Sequence, residues 1–217
     1  MTADNKTYLA DLVKEMNRHW PQNRTINIVC HGHSVPSGYF ATPMVDTFNA
    51  YPHLLHRSLK ERFPFAVINV IVTAIGGENS EAGAKRFESE VLCHRADLIT
   101  IDYGLNDRRI GLEKSEEAWS SMIEKAMEKN IKLLLLTPTL HIQEDVFNDQ
   151  SDLKPHVEQI RQLAGKYGTG LVDSYAAFEK QIKAGTDLSN LLSWSNHPSR
   201  KGHELVRDEI MRWFSFN

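Results

Sequence analysis

The chain has 217 residues, of which 41% are hydrophobic, and its formal net charge is −3 at pH 7. A chain of this length can bury a sizeable core, and we expect a single domain over residues 1–217. Because Lys and Arg are not in excess over Asp and Glu, the composition argues against nucleic acid as the main partner and favours a small-molecule ligand.

The segment 1–20 reads as a polar, amphipathic helix that lacks the charged-then-apolar layout of a secretory signal peptide. The longest apolar block, Leu133–Leu136, is far shorter than the roughly 20 residues that a membrane-spanning helix needs. Cys30 and Cys93 lie far apart in apolar stretches, which predicts two buried, reduced thiols rather than a disulfide. Together these features predict a soluble, cytoplasmic protein.

Short β-branched runs then alternate with helical patterns, as in a parallel sheet with helices on both faces. The runs predict five strands, at Ile26–His31, Ala66–Val72, Leu98–Tyr103, Ile131–Thr137 and Gly170–Asp173. The helical patterns predict helices at Tyr51–Arg62, Ser80–His94, Glu116–Lys129, Leu153–Tyr167 and Ser199–Phe214. In the third of these helices, helical spacing predicts one apolar face made of Trp119, Met122, Ile123, Ala126 and Met127. No internal repeat or Pro/Gly-rich linker interrupts this alternation.

In an open parallel sheet the ligand lies outside the carboxyl ends of the strands, so the loops that follow the strands are the candidate site. After the first strand, the segment Gly32–Gly38 places Ser34 on a tight turn between two glycines. Such a turn exposes a nucleophile, and a helix that follows it points N–H groups at a developing oxyanion. An ordinary strand-to-helix turn has the same composition. Pro36 departs from the G-x-S-x-G elbow of α/β-hydrolases.

Two further loops and one histidine carry groups suited to the same chemistry. The loop Ala74–Ser80 offers the backbone N–H of Gly77, and the loop Tyr103–Asp107 offers the side-chain amide of Asn106. These are the donor types found in oxyanion holes, although helix capping accounts for either residue taken alone. His197 precedes the last predicted helix, and histidine is the natural general base near neutral pH.

Four of these segments, in this order, resemble the SGNH hydrolases, also called GDSL esterases. Gly32–Gly38 is similar to the block G-D-S-L-x-x-G, Ile75–Glu78 to the glycine block, Gly104–Asp107 to G-x-N-D, and His197–Pro198 to the fourth block. The similar segments span residues 26–203. On these motifs the chain is identified as a member of that family.

The resemblance implies a three-layer α/β/α fold with a flavodoxin-like, five-stranded parallel sheet, and ester hydrolysis through an acyl-serine intermediate. It implies no metal and no organic cofactor. Ser34 is then the nucleophile and His197 the general base. The N–H of Ser34, the N–H of Gly77 and the side chain of Asn106 would form the oxyanion hole.

Two positions depart from the family pattern. His33 stands where the family usually has aspartate, and Trp194 stands where the D-x-x-H motif places the acid that orients the histidine. We therefore expect a Ser–His dyad, with Nδ1–H of His197 bonded to a main-chain carbonyl near Trp194 or Ser195. Asp187 is an alternative acid for this role.

Three alternatives to the serine esterase remain open. His31 and His33 form an H-x-H pair that suits metal ligation, and Cys30, next to His31, is a second candidate nucleophile. The departures from the family pattern also allow a catalytically weak binding module, which a fluorophosphonate would not label at Ser34.

The substrate is the least determined part of the interpretation. The segment Tyr39–Met44 after the nucleophile and the stretch Thr139–His141 after the fourth strand are the candidates for the pocket. From them we select Tyr39, Phe40 and His141 as substrate-binding residues. Their aromatic and apolar character favours a small ester, with an O-acetylated carbohydrate ahead of a long-chain lipid.

Overall fold

The computed structural model describes residues 1–147 and 151–215 of the chain. Within these residues five parallel strands form one sheet in the order β2-β1-β3-β4-β5. The strands are β1 Thr25–Gly32, β2 Val67–Val72, β3 Leu98–Asp102, β4 Lys132–Leu136 and β5 Gly170–Val172. All five predicted strands are confirmed to within one residue at either end, and the flavodoxin-like order is the one expected.

Nine α-helices surround the sheet in the part of the chain that the structure describes. They are α1 Ala10–Met16, α2 Ser34–Ser37, α3 Tyr51–Arg62, α4 Ser80–Glu90, α5 Gly104–Asp107, α6 Leu112–Glu128, α7 Lys154–Tyr167, α8 Ser174–Lys183 and α9 Arg200–Met211. The predicted helix Tyr51–Arg62 is confirmed residue for residue. The predicted helices Ser80–His94 and Ser199–Phe214 each end in a 3₁₀ turn, at Leu92–His94 and Arg212–Phe214.

The helices cover both faces of the sheet, which gives the predicted three layers. On one face α4, α6 and α7 pack over a core that contains Val29 of β1 and Trp119 of α6. On the other face α1, α3, α8 and α9 pack over a core that contains Ile28 and Cys30 of β1. This alternation along β1 reflects the two-residue period of a strand whose faces are both buried.

The structure differs from the sequence-based predictions at three places. Segment 1–20 is helical only over Ala10–Met16, because its buried apolar residues occupy just these turns and Leu9. α8 was not predicted; it begins after Asp173, whose side chain accepts the N–H of Ala176 as an N-cap. Met127, predicted to face the core, is 45% exposed at the end of α6.

The two cysteines differ from each other. Both are free thiols, but Cys30 is buried and Cys93 is exposed, which corrects the expectation for Cys93. In the 3₁₀ turn Leu92–His94 the buried position is taken by Leu92, so the next side chain points to solvent. None of the described helices is long and apolar enough to cross a membrane. The single domain, the cytoplasmic location and the absence of a nucleic-acid partner stay predictions.

Candidate active site

Ser34 occupies the first position of a one-turn helix at the carboxyl end of β1. The turn depends on two glycines. A Cβ on Gly32 would lie 2.5 Å from the carbonyl oxygen of Asp102, and Gly38 ends α2 in the left-handed conformation with φ of 87°. A side chain at either position would therefore clash or strain the backbone. The site lies where β1 meets β3, which is the switch point of this strand order and the expected place for a ligand.

His197 faces the hydroxyl of Ser34. Its Nε2 lies 3.1 Å from Ser34 Oγ, and its Nδ1 lies 2.9 Å from the main-chain oxygen of Phe40. Because a carbonyl can only accept, Nδ1 carries the proton in the neutral ring and Nε2 presents its lone pair to the serine. The predicted contact between His197 and Ser34 is confirmed. The kind of acceptor is confirmed too, because Nδ1 meets a main-chain oxygen and not a carboxylate.

The acceptor is not the one predicted. The carbonyl belongs to Phe40, not to Trp194 or Ser195, because the chain after α2 folds back beneath the imidazole. Asp187, the alternative acid, is exposed and its carboxylate accepts the N–H of Ser189 at 2.8 Å. It therefore caps a 3₁₀ turn and does not contact His197.

The loops that follow β2 and β3 meet beside Ser34. The N–H of Ile75 donates to the carbonyl of Gly32 at 3.0 Å, and the Asn106 amide donates to the carbonyl of Glu78 at 2.8 Å. Gly77 lies between these two anchors with φ of 78°. Among the described residues no acceptor pairs with the main-chain N–H of Ser34 or Gly77. Both N–H groups are therefore free to bind an anionic oxygen.

The surroundings of His197 oppose a positive charge on its ring. Partial burial lowers the pKa of His197 below its ordinary value, the hydrogen bond to Phe40 raises it, and the neighbouring His33 lowers it. The net direction is downward. Without a carboxylate partner, the imidazole is neutral, and so able to accept a proton, at pH values where an ordinary histidine is partly protonated.

A buried polar network that the sequence interpretation missed supports the loop after β2. Arg86 of α4 pairs with the carboxylate of Glu78, and the hydroxyl of Tyr103 donates to the same carboxylate at 2.7 Å. The Tyr103 oxygen also lies 3.1 Å from Nε2 of His31. An acid directly after Gly77 and an arginine within the predicted helix Ser80–His94 were the available signal.

The alternative chemistries find less support. His31 is bonded through Nδ1 to Thr73 and through Nε2 to Tyr103, and burial lowers its pKa to about 4. His33 has different partners, so the two imidazoles do not converge on one point. Burial also raises the pKa of Cys30 to about 12, which leaves its thiol protonated and poorly nucleophilic.

The three predicted substrate-binding residues have different surroundings. Tyr39 is exposed at the rim; its ring lies 5.9 Å from that of His197, and a Cβ on Gly76 would touch it. Phe40 is half-buried with its ring 5.1 Å from His203, so its side chain faces the fold more than the site. His141 reaches the same edge, since the next residue, Ile142, donates to Ser195 O.

His141 belongs to an ionic cluster at this edge. Its Nε2 lies 3.2 Å from Glu144 Oε2 and 3.7 Å from Asp152 Oδ1, and the three groups are close enough to share a cation. However, Arg108 places Nη1 3.1 Å from His141 Nε2 and 3.0 Å from the Asp152 carboxylate. A guanidinium therefore already supplies the positive charge, which disfavours a metal ion there.

Comparison with known proteins agrees with this geometry. Residues 30–205 match the GDSL-like Lipase/Acylhydrolase family. The chain belongs to this family. Like its other members, it is a carboxylic ester hydrolase of the SGNH/GDSL type, which confirms the resemblance drawn from the four motifs.

Individual relatives are distant in sequence and close in fold. An acetylxylan esterase from Geobacillus stearothermophilus is 24% identical over 175 residues, which is 73% of this chain and 77% of that protein. The crystal structure of the acetylxylan esterase Axe2 from the same organism superposes with a TM-score of 0.77 at 20% identity, covering 88% of this chain and 95% of that one. LAE5, an alpha/beta hydrolase enzyme from the metagenome of Lake Arreo, Spain, superposes with a TM-score of 0.76 at 17% identity and covers 92% and 97% of the two chains.

Proposed function

We propose that this GDSL-family protein is a serine esterase that cleaves a small ester through an acyl-serine intermediate, with O-acetylated carbohydrates as the substrate class. The observation that carries the proposal is the 3.1 Å contact between Ser34 Oγ and His197 Nε2 at the head of α2. A hydroxyl paired with a neutral imidazole is the arrangement that activates a serine nucleophile.

In the first half of the reaction, Ser34 Oγ attacks the ester carbonyl while His197 Nε2 accepts the hydroxyl proton. The tetrahedral intermediate collapses as His197 returns this proton to the departing alcohol, which leaves the acyl group on Ser34. A water molecule then loses a proton to His197 and attacks the acyl-serine. The second tetrahedral intermediate collapses as His197 returns this proton to Ser34 Oγ, which releases the carboxylic acid and restores the serine hydroxyl.

The negative oxygen of each tetrahedral intermediate needs donors that are already in place. The N–H groups of Ser34 and Gly77 have no acceptor among the described residues, and the amide of Asn106 has a second N–H beyond the one that anchors Glu78. Donors fixed in this way stabilise charge in the transition state with little reorganisation. These three groups form the proposed oxyanion hole.

The substrate class rests on two supports. A relative over most of this chain is named an acetylxylan esterase, and the rim of the site is built from side chains that suit a sugar. Tyr39 presents an exposed aromatic ring next to His197, and Arg108 after α5 and His141 after β4 add polar groups. Aromatic faces pack on the apolar faces of sugar rings, while polar groups bind hydroxyls.

Active-site labelling tests the reaction. We expect a fluorophosphonate to label the wild-type protein at Ser34. The Ser34→Ala variant should not be labelled, its kcat should be lower by at least about 10³-fold, and its melting temperature should be unchanged. Ser37→Ala is the matched control on the same helix; its hydroxyl only caps the carbonyl of His33, and it should keep both properties. An unlabelled but folded wild-type protein would identify a binding module instead.

A substrate series tests the specificity. Acetylated xylo-oligosaccharides should be deacetylated with a higher kcat/KM than p-nitrophenyl acetate, and p-nitrophenyl esters should lose activity steadily beyond short acyl chains. Preference for a long acyl chain would contradict the carbohydrate assignment and leave the serine mechanism standing.

A further inference from the structure

A second histidine adjoins the nucleophile and is paired with a buried acid. His33 precedes Ser34, and Asp102 is the last residue of β3; both side chains are almost wholly inaccessible to solvent. His33 Nε2 lies 3.4 Å from Asp102 Oδ1, and the main-chain N–H of His33 donates to Asp102 O at 3.2 Å. The two residues thus join the ends of β1 and β3 through both main chain and side chain.

The contacts of His33 define which of its nitrogens carries the proton. The N–H of Val35 donates to His33 Nδ1 at 3.2 Å, so Nδ1 must present a lone pair. In the neutral ring the proton is then on Nε2, the nitrogen that lies 3.4 Å from Asp102 Oδ1. Ser34 Oγ lies 3.4 Å from the same Nδ1.

The opposite tautomer would disturb the nucleophile directly. A proton on Nδ1 would point at the N–H of Val35 at the start of α2, and two donors cannot form a hydrogen bond with each other. The ring would lose its N-cap role, and the hydroxyl oxygen of Ser34 would be the acceptor in reach of that proton. A hydrogen bond donated to this oxygen opposes its attack on a carbonyl, because it occupies one of the two lone pairs and withdraws electron density from the oxygen.

We propose that Asp102 and His33 are positioning residues for Ser34: the carboxylate holds His33 in the Nε2–H tautomer, which caps α2 and leaves the Ser34 hydroxyl free to donate to His197. This inference rests on the proposed function in that Ser34 is the nucleophile. It also accounts for His33 at a position where the family has aspartate, since either side chain accepts the N–H that starts α2.

The groups around this pair leave the tautomer assignment intact. The titratable side chains that face it are Cys30 on β1, Tyr51 on α3 and His197 before α9. Burial, and secondarily the charge of Asp102, raise the pKa of both Cys30 and Tyr51, so both are neutral. His197 is neutral above mildly acidic pH. These three side chains therefore place no charge beside the pair at neutral pH.

A charge-swap cycle tests the proposal. In Asp102→Asn the new amide can donate to His33 Nε2, which favours the Nδ1–H tautomer, and kcat should fall about 10²-fold with KM nearly unchanged. His33→Asp alone should also be impaired, because it places two carboxylates side by side in a buried site. The double variant His33→Asp with Asp102→Asn should recover most of the activity, since the introduced carboxylate caps α2 and the introduced amide donates to it.

One spectroscopic readout and one control variant separate positioning from mere stability. ¹⁵N shifts of histidine-labelled protein should report Nε2–H for His33 in the wild type and Nδ1–H in Asp102→Asn, with the signal assigned by its loss in His33→Asp. The matched control is Asp97→Asn, at the other end of β3, where the carboxylate binds Arg24 and the N–H of Asn27. This variant should lose some stability while keeping kcat and the His33 tautomer.

Opposite results have distinct meanings. Full kcat in Asp102→Asn, an unchanged tautomer, or a double variant no more active than the singles would overturn the proposal. Because the tautomer is read without substrate, failure of fluorophosphonate labelling in the wild type would instead count against the esterase assignment itself.

Discussion

In the proposed mechanism His197 accepts the proton of Ser34, and its surroundings disfavour a charged ring. Burial is the largest cause of its lowered pKa, and the adjacent His33 acts in the same direction. A carboxylate partner would offset these effects, but the ring nitrogen away from Ser34 meets a carbonyl, which carries only a partial charge. The base is weaker than in a full triad and is available at lower pH.

The pH profile of the enzyme should show this weakness. We expect kcat/KM to rise with pH through an acid limb whose midpoint lies below 6.5, the ordinary value for histidine, and then to level off. In the proposed mechanism a protonated His197 cannot accept the proton of Ser34, so the limb should report the pKa of that ring. Asp187→Ala should leave the limb in place. A midpoint above 6.5 would indicate a carboxylate near Nδ1.

In the proposed oxyanion hole Asn106 stabilises charge that develops in the transition state, so we expect its loss to appear in kcat. Asn106→Ala should lower kcat by about 10²- to 10³-fold with little change in KM. Asn17→Ala is the matched control, because the Asn17 amide also donates to a carbonyl at 2.8 Å but lies on the distant end of α1. A similar stability loss in both variants with full turnover would show that Asn106 only holds its loop.

At the scale of elements, the site depends on how firmly the loop between β2 and α4 is held. Glu78 follows the proposed oxyanion glycine, and its side chain is buried against Arg86 and Tyr103. The ion pair joins the loop to α4, while the tyrosine joins it to β3. Removing one partner would leave a buried carboxylate uncompensated, which costs more than the pair itself contributes.

We therefore expect Arg86→Met to lower the free energy of unfolding by about 3 kcal/mol and to lower kcat, because the loop shifts with Glu78. Lys85→Met is the matched control on the same helix. Lys85 pairs with Glu81 on the surface with its side chain 73% exposed, and its loss should cost under about 0.5 kcal/mol and leave kcat unchanged. Urea unfolding and steady-state kinetics on both variants measure this difference.

At the scale of the whole molecule, two buried histidines link folding to pH. Burial lowers the pKa of His31 to about 4 and that of His203 to about 3. In the unfolded chain both titrate near 6.5, so acid adds protons to the unfolded state first. The stability that these neutral rings contribute is therefore complete above pH 6.5 and is lost as the pH falls towards their folded-state values.

Each of the two histidines should contribute a slope of about 1.4 kcal/mol per pH unit to the free energy of unfolding near pH 5. His203→Gln should reduce the slope by this amount, because the neutral amide has no proton to gain while its oxygen can still accept the N–H of Tyr51. Urea titrations between pH 7 and pH 4.5 measure the slopes. An unchanged slope in the variant would show that His203 is protonated in the folded state.

Much of the fold follows from local sequence patterns. The strands are short runs rich in β-branched and other apolar residues, nearly continuous in the buried strands β3 and β4, which is why all five were predicted within one residue. α8 was missed because only Tyr175 and Phe178 among its larger apolar side chains are buried, too few to show a helical period over ten residues. In segment 1–20 the helix was predicted too long, because the amphipathic pattern of the sequence extends beyond the turns Ala10–Met16 that pack on the core.

The side chains of the candidate site were predictable where a motif encodes them, and the contacts between distant segments were not. Ser34 and His197 meet as expected. The acceptor for Nδ1 of His197 is the main-chain oxygen of Phe40, and such a contact cannot be predicted from the type of residue at that position. Asp102 offered a signal, a charged residue at the end of a buried strand. Its pairing with His33 depends on the register of β1 against β3, which a single sequence does not display.

The carbonyl that orients His197 belongs to the main chain at position 40, so it does not depend on which amino acid the gene encodes there. Every amino acid at position 40 supplies the same oxygen, and the backbone there is held by hydrogen bonds from Tyr39 N to Ser34 O and from Phe40 N to Met44 O. In a hydrolase that uses an aspartate, a single missense change can delete the orienting group. Here the orienting oxygen is lost only through insertions, deletions or proline substitutions that redirect the backbone of residues 38–44. Sequence drift can therefore vary the side chain at position 40 while His197 keeps its alignment.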